Sequence, residues 1–196
     1  MQLQGVRNRR SGIAIAGVLV VLSAAIVSTH TFVGRETGDL TRVRVESPNA
    51  SELDFPVPIP GTELSTVCFK VRNTSPFDSR VTAIGFDLPG DLTGFTLASP
   101  ADSGFEVIEQ VANVPQLHHV TLDFALVTGE TFGGGDPHAG LAFSTTPTTF
   151  CVSGPFPEGM PIERILDRGV VRVQSVGPSG ELGDVAVWNQ GPFLPN

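Results

Sequence analysis

The sequence predicts an all-β protein: an antiparallel β-sandwich of about eight strands with one short helical turn, preceded by an N-terminal signal or anchor helix. Several segments alternate apolar and polar side chains with a period of two, as half-buried strands do. The chain contains 22 glycines and 16 prolines, which fits short strands joined by many turns. Only residues 161–169 show a helical spacing of apolar residues.

Residues 1–30 have the layout of a signal peptide or an N-terminal membrane anchor. Basic residues at Arg7, Arg9 and Arg10 precede a sixteen-residue stretch, 12–27, that is rich in Ala, Val, Ile and Leu. A membrane-spanning helix needs about 20 apolar residues, so the sequence favours a cleaved signal peptide. The alternative is an uncleaved anchor, which would make this segment the only membrane contact.

Residues 31–61 are expected to be an extended, proline-rich lead-in with one strand. In that strand, 40–45, Leu40, Arg42 and Arg44 would lie on one side, opposite Val43 and Val45. Proline fixes φ and cannot donate to a strand ladder, so PVPIPG at 56–61 is predicted to be a stiff connector. The β-sandwich domain itself is expected over 62–190, followed by a flexible tail at 191–196.

The segment 65–90, STVCFKVRNTSPFDSRVTAIGFDLPG, predicts a strand, a turn and a second strand. Val67, Phe69 and Val71 alternate with polar residues, and the turn formers of 73–79 follow. We therefore expect an antiparallel hairpin.

Further strands are expected at 95–97, 105–111, 120–126, 148–152, 170–176 and 184–188. In 120–126, Leu122, Phe124 and Leu126 would face inward with Val120, while Thr121 and Asp123 would face outward. Pro161 and Gly169 suit the start and end of a helical turn. The predicted core is Val67, Phe69, Val71, Ile84, Phe86, Leu88, Leu122, Phe124, Phe150, Val171, Val173, Val185 and Val187.

Charge restricts the classes of partner. Beyond Arg10 the chain has nine basic and twenty acidic residues, a net charge of about −11. Such a charge repels phosphate backbones, so we expect no nucleic-acid partner. Divalent cations and positively charged surfaces are the more compatible partners.

The two cysteines predict one disulfide in an exported chain. In antiparallel pairing of the two strands, Cys68 faces Cys151, Phe69 faces Phe150 and Val67 faces Val152. Both sulfurs then lie on the face opposite the apolar row, and facing residues about 4.5–5.5 Å apart are within disulfide reach.

No catalytic motif is present. The sequence lacks G-x-S-x-G, S-x-x-K, H-E-x-x-H, the P-loop and the dinucleotide-binding glycine pattern, so no catalytic residue is assigned and no enzyme activity is expected. His118 and His119 point to opposite faces of a strand, and His119 lies about 13 Å from Asp123 at 3.3 Å per residue. We therefore predict no metal site there.

Two places could contact a ligand or a partner. Asp136 and His138 lie in the glycine-rich segment 129–140, where backbone carbonyls and a carboxylate could hold Ca²⁺; the alternative is a flexible edge loop. Trp188, the only tryptophan, could stack on sugars or dock a partner, or instead cover one end of the sandwich. No other cofactor is expected.

A family resemblance is carried by four stretches: VCFKVRNTSPFDSRVTAIGFDLPG, GETFGGGDPHAGL, FCVSG and RGVVRVQSVGPSGELGDVAVW. Over about residues 64–188 the chain resembles bacterial exported surface proteins of the PEP-CTERM and choice-of-anchor type. Members with the sorting tail end in a Pro-Glu-Pro signature, a hydrophobic helix and a basic cluster, which this sequence lacks. The resemblance implies a secreted or surface-associated β-domain, and it transfers no catalytic residue.

These observations predict a bacterial, secreted or cell-surface protein that is not an enzyme and has a structural or adhesive role. The first alternative is a small carbohydrate-binding module, in which Ca²⁺ could assist. The second is an extracellular hydrolase without a recognisable motif.

The first testable prediction concerns export. We expect residues up to about Ser28 to be removed, because a basic segment, an apolar stretch and small residues follow one another as in a signal peptide. Mass spectrometry of the N-terminus of the native protein tests this. Recovery of an intact Met1 or Gln2 terminus from the membrane fraction would identify an anchor instead.

Overall fold

Two antiparallel sheets form from the alternating apolar segments of the chain. The computed structural model describes residues 29–34, 38–46, 56–75, 78–112, 114–115, 117, 120–175 and 185–188. In chain order the strands are β1 Thr29–Gly34, β2 Gly38–Glu46, β3 Val57–Pro58, β4 Ser65–Asn73, β5 Arg80–Phe86, β6 Thr96–Ser99, β7 Glu106–Val111, β8 Leu122–Val127, β9 Thr148–Gly154, β10 Gly169–Gln174 and β11 Val185–Trp188. The first sheet has the order β1-β2-β4-β9-β6, with β3 also paired to β4, and the second sheet has the order β11-β10-β5-β8-β7.

This arrangement confirms the predicted all-β sandwich. Each of the eight segments expected to form sandwich strands does so, and β2 corresponds to the strand expected in the lead-in. Because β2 pairs with β4 from Val43 to Glu46, the first sheet extends N-terminally beyond residue 62, where the domain was expected to begin. The predicted signal or anchor helix and the tail at 191–196 lie outside the described residues.

The predicted hairpin over 65–90 is wrong. Both of its strands exist, but β4 belongs to the first sheet and β5 to the second. A period of two shows only that one face of each strand is buried. It is satisfied equally well by two strands that pair and by two strands that face each other across a core, so the pattern could not distinguish them.

The side chain of Asn73 anchors the crossing between the sheets. It is 1% exposed, and its Nδ2 donates to the carbonyl oxygens of Ser79 at 2.8 Å and Leu141 at 3.1 Å. Its Oδ1 accepts from the backbone N–H of Ser75 at 3.0 Å. One buried amide therefore ties the end of β4 to the residues that precede β5 and to a third segment.

The inner core lies between the sheets and is rich in phenylalanine. Phe86 contacts Phe69 and Phe124, with ring centroids 5.2 Å apart in both pairs. Phe95 stacks on Phe124 at 4.3 Å. Ten of the thirteen predicted core residues belong to this cluster: Val67, Phe69, Val71, Ile84, Phe86, Leu88, Phe124, Phe150, Val171 and Val173.

Leu122 is buried, but on the other side of the second sheet, so its predicted face is wrong. Phe124 and Leu126 face the inner core, whereas Leu122 and Val120 lie in a separate outer cluster with Ala125. The paired strand changes side at the same level: Val107 packs on the inner core and Val111 belongs to the outer cluster. Gln110, between them, has a φ of 49°, which interrupts the strand alternation. The side chains of Val185 and Val187 lie outside the described part.

The disulfide prediction is confirmed together with its register. β4 and β9 pair antiparallel with Cys68 opposite Cys151, Phe69 opposite Phe150 and Val67 opposite Val152. The two cysteines are bonded across a sequence separation of 83 residues.

The predicted helical turn is α1, Ile162–Leu166, with Ile162, Ile165 and Leu166 buried against the inner core. Pro161 is its N-cap, and Gly169 already belongs to β10. Among the described residues, no helix has the length and apolar character needed to cross a membrane.

The second prediction tests the inner core. Phe86→Ala should lower the free energy of unfolding by about 3–5 kcal/mol, because a buried ring in contact with two other rings is replaced by a cavity. Phe143 is 56% exposed, so Phe143→Ala should change it by no more than about 0.5 kcal/mol. Urea denaturation with the disulfide intact measures both, and equal effects would contradict the assignment of Phe86 to the core.

Candidate functional surface

The two sheets differ in what covers their outer faces. Every residue of β8 and β10 is buried, because the outer cluster covers the second sheet. That cluster includes Val114 and Phe132, which lie outside the strands. In β4 and β9, by contrast, partly exposed residues alternate with buried ones. Within the described ranges, the outer face of the first sheet is therefore the sheet face open to a partner.

Three basic residues lie close together on this outer face. Arg44 of β2 is directly opposite Arg72 of β4, and Glu46 is directly opposite Lys70. A guanidinium nitrogen of Arg72 lies 3.7 Å from a carboxylate oxygen of Glu46 and another donates to the carbonyl of Thr145 at 3.3 Å. We call Arg44, Lys70 and Arg72 the basic group.

The two arginines are packed against the sheet. The Nε atoms of Arg44 and Arg72 are both buried and have no hydrogen-bond partner, while the Arg72 side chain as a whole is 26% exposed. The inner parts of the side chains are thus shielded. A ligand would meet the terminal nitrogens of Arg44 and those N–H groups of Arg72 that are not directed to the Thr145 carbonyl or to Glu46. A planar guanidinium held in this way suits a carboxylate, which accepts two parallel N–H groups.

Hydroxyl groups and the disulfide continue the same face. The Oγ1 of Thr66 and the Oγ of Ser153 are 2.8 Å apart, and Cys68 and Cys151 lie between this pair and the level of Lys70. Thr149 is opposite Lys70 and is exposed. The outer face therefore combines cations with neutral hydrogen-bonding groups.

Asp136 and His138, predicted as a ligand or Ca²⁺ site, are neighbours in a turn. The Oδ1 of Asp136 accepts from the backbone N–H of His138 at 2.8 Å, and the carbonyl of Asp136 accepts from the Oγ1 of Thr128 at 2.9 Å. Both residues are exposed. The described residues contain no group of three or more His, Cys, Asp or Glu side chains placed to hold a metal ion.

The glycines of this segment have a packing role. A Cβ on Gly135 would lie 2.7 Å from the Cβ of Thr82, and one on Gly140 would lie 2.9 Å from the carbonyl oxygen of Val81. Gly135 is buried, and Leu141 exchanges two backbone hydrogen bonds with Val81. Close approach of this segment to β5 therefore requires glycine at these two positions, and the flexibility expected for the loop stays a prediction.

Thr82 is brought toward this loop by an irregularity in β5. The β5–β10 register shifts between Arg172 and Val173, which pair with Ala83 and Val81 and leave Thr82 without a partner residue. An extra residue of this kind bends a strand and redirects side chains. The irregularity explains why the glycine-rich segment and Thr82 are in contact.

Asp123, expected to face outward, is 5% exposed. Its Oδ2 accepts from the backbone N–H of Leu88 at 2.6 Å and its Oδ1 from that of Leu92 at 2.8 Å. Burial raises the pKa of Asp123, the two backbone donors oppose that rise, and the nearby Asp87 and Asp91 add to it. The carboxylate thus holds the chain after β5 in place. His118 and His119, for which no metal site with Asp123 was predicted, lie outside the described residues.

Trp188 pairs with Val170 at the end of the β10–β11 ladder. Its side chain lies outside the described part of the structure, so its proposed contact with a sugar or partner stays a prediction. The pairing fixes only its position, on β11 at the edge of the second sheet.

The basic group was missed in the sequence because its members are far apart in the chain. Alternation already placed Arg44 opposite the valines of β2, and Lys70 and Arg72 on the polar side of β4. What was missing was the pairing of β2 with β4. No local pattern predicts which strands become neighbours.

Comparison with known proteins adds no relative. No protein-family model, curated protein or solved structure matches this chain.

The third prediction tests the packing of the glycine-rich segment. Gly135→Ala should lower the free energy of unfolding by about 1–3 kcal/mol, because the new methyl group overlaps Thr82. Gly133→Ala is the matched control: its Cβ would meet only Pro115, at 3.3 Å, and its effect should stay within about 1 kcal/mol. Urea denaturation measures both, and equal stability of the Gly135 variant and the wild type would contradict this packing.

Proposed function

We propose that this protein is an exported, non-enzymatic β-sandwich of bacterial origin that acts at or outside the cell surface in a structural or adhesive role. The observation that carries the proposal is the Cys68–Cys151 disulfide, which joins two strands of one sheet. Disulfides form and persist in oxidising compartments and are rare in the cytosol. The bond therefore supports an extracytoplasmic location.

The roles of the carboxylates support a binding or structural protein over an enzyme. Asp123 accepts two backbone N–H groups, and the Oε1 of Glu109 accepts from the backbone of Gly94 and Phe95. Asp87 forms an ion pair with Arg168 at 2.8 Å. These side chains hold the loop after β5 in place, which is a structural role for each of them.

The resemblance to exported surface proteins of the choice-of-anchor type accords with this proposal. The stretches that carry it supply β4, β5, β9 and β10, which are inner strands of the two sheets, and the edge strand β11. The four stretches thus correspond mainly to strands of the β-sandwich and not to a binding site, as expected for a family whose members share a fold.

A small carbohydrate-binding module is the second candidate function. The observation that favours it is the open outer face of the first sheet, where Thr66, Ser153 and Thr149 accompany the basic group. A Ca²⁺-assisted form at Asp136 is less well supported, because the Oδ1 of that carboxylate already accepts a backbone N–H. An extracellular hydrolase has no observation in its favour.

The fourth prediction tests compartment and bond together. Protein from the extracytoplasmic fraction, unfolded without reductant, should show no free thiol. Replacing both cysteines by serine should lower the free energy of unfolding by about 4–5 kcal/mol in the chain-entropy estimate for a loop of this length. Two free thiols, or recovery of the native protein from the cytoplasm only, would refute an extracytoplasmic role.

A loss-of-function experiment tests the role itself. A strain without the gene should show weaker surface attachment or altered envelope integrity. The wild-type gene should restore both properties, and so should a control variant with a substitution on an exposed turn, Glu158→Gln. Normal attachment and normal envelope in the deletion strain would remove the structural and adhesive roles.

A further inference from the structure

The outer face of the first sheet brings together two like charges that the fold does not separate. Arg44 and Arg72 are directly opposite each other in the β2–β4 ladder, where like charges destabilise a sheet. On the described part of this face Glu46 is the neighbouring carboxylate; it lies 3.7 Å from Arg72 and opposite Lys70. Arg44 and Arg72 thus face each other beside one described carboxylate, Glu46, an arrangement that an added anion would stabilise.

The position of these cations contrasts with the composition of the chain. Beyond Arg10 there are nine basic against twenty acidic residues, and three of the nine form the basic group on a single sheet face. An acidic protein with its cations concentrated in this way attracts an anionic partner at one place and repels it elsewhere. The orientation of the partner is thereby restricted to the outer face of the first sheet.

We propose that this face binds a carboxylate-bearing polysaccharide, with the guanidinium groups of Arg44 and Arg72 each receiving a carboxylate. The inference rests on the proposed extracytoplasmic role and deepens it by naming the class of partner. Facing residues in an antiparallel pair are about 4.5–5.5 Å apart, so the two guanidinium groups can engage one polymer. Thr149, opposite Lys70, and farther along the same face Thr66 and Ser153 offer hydroxyl groups to the hydroxyl groups of the sugars.

The chemistry of the surface favours a glycan over other polyanions. Nucleic acids carry a dense phosphate charge that the remaining acidic surface repels. An acidic polysaccharide carries hydroxyl groups beside each carboxylate, and the outer face likewise places the hydroxyl of Thr149 opposite Lys70. A flat, partly polar sheet face also suits an extended chain better than a compact ligand, which needs a cavity.

The experiment uses the purified protein with its disulfide intact and polygalacturonate as the probe. Wild-type protein should be retarded by polygalacturonate in affinity electrophoresis but not by the same polymer after reduction of its carboxylates. The variant with Arg44→Gln and Arg72→Gln should bind at least about tenfold more weakly, since two charge-assisted contacts are lost. Binding by the wild type should weaken as salt is raised to 0.5 M, because partly exposed charges are screened.

A second double variant, Arg80→Gln with Arg164→Gln, is the matched control, because it likewise removes two positive charges, from β5 and α1, outside this face. It should bind like the wild type, and thermal unfolding should show that all variants are folded. Arg44→Lys with Arg72→Lys should give intermediate binding, because charge is kept while the planar fork is lost.

Three results would overturn the proposal: equal binding by the double glutamine variant and the wild type, tighter binding to polyphosphate than to polygalacturonate, or loss of self-association in the double variant without any glycan binding. The last result would assign the face to a second copy of this chain. Failure here leaves the extracytoplasmic role standing, because that role is tested separately by fractionation and thiol counting.

Discussion

The pairing of β4 with β9 is the constraint on which the rest of the structure depends. The facing cysteines of these strands are 83 residues apart in the chain, yet the strands are adjacent in one sheet. Closing such a long loop costs conformational entropy, and the Cys68–Cys151 bond removes much of that cost by restricting the unfolded chain. All of β5, β6, β7 and β8 lies within the loop that the bond closes.

The same pairing sets which side chains face inward. A slip of one residue would carry the entire apolar set of a strand to the opposite face. With Cys68 opposite Cys151, Phe69 and Phe150 meet in the core at a ring distance of 6.0 Å. The disulfide is thus both a cross-link and a determinant of register, and it lies on the face away from the rings.

The passage from β4 to β5 then determines which outer face stays open. Asn73 directs the chain across to the second sheet through three buried or partly buried hydrogen bonds. The residues that follow build the second sheet and also cover it, through Phe132 and Val114 of the outer cluster. None of the described residues covers the first sheet in this way over β4 and β9, so its outer face, with the basic group and the hydroxyls, is the surface on which a binding role is proposed.

The sequence by itself determined the features that depend on residues within one strand or on one pair of strands. Alternation located the strands and assigned ten core residues to the inner core, and reversal of one cysteine strand against the other gave the register of β4 with β9. These predictions succeeded because the period of two and the geometry of an antiparallel pair are local properties.

Only the tertiary structure decided the features that depend on which strands become neighbours. It separated β4 from β5, which a local pattern reads as a hairpin, and it placed β2 beside β4 so that Arg44 faces Arg72. It also buried Asp123, whose carboxylate accepts the backbone N–H groups of Leu88 and Leu92, and it packed Gly135 against Thr82 of β5. Each of these depends on contacts between segments far apart in the chain, and the free energy of such contacts is not encoded in the periodicity of either segment alone.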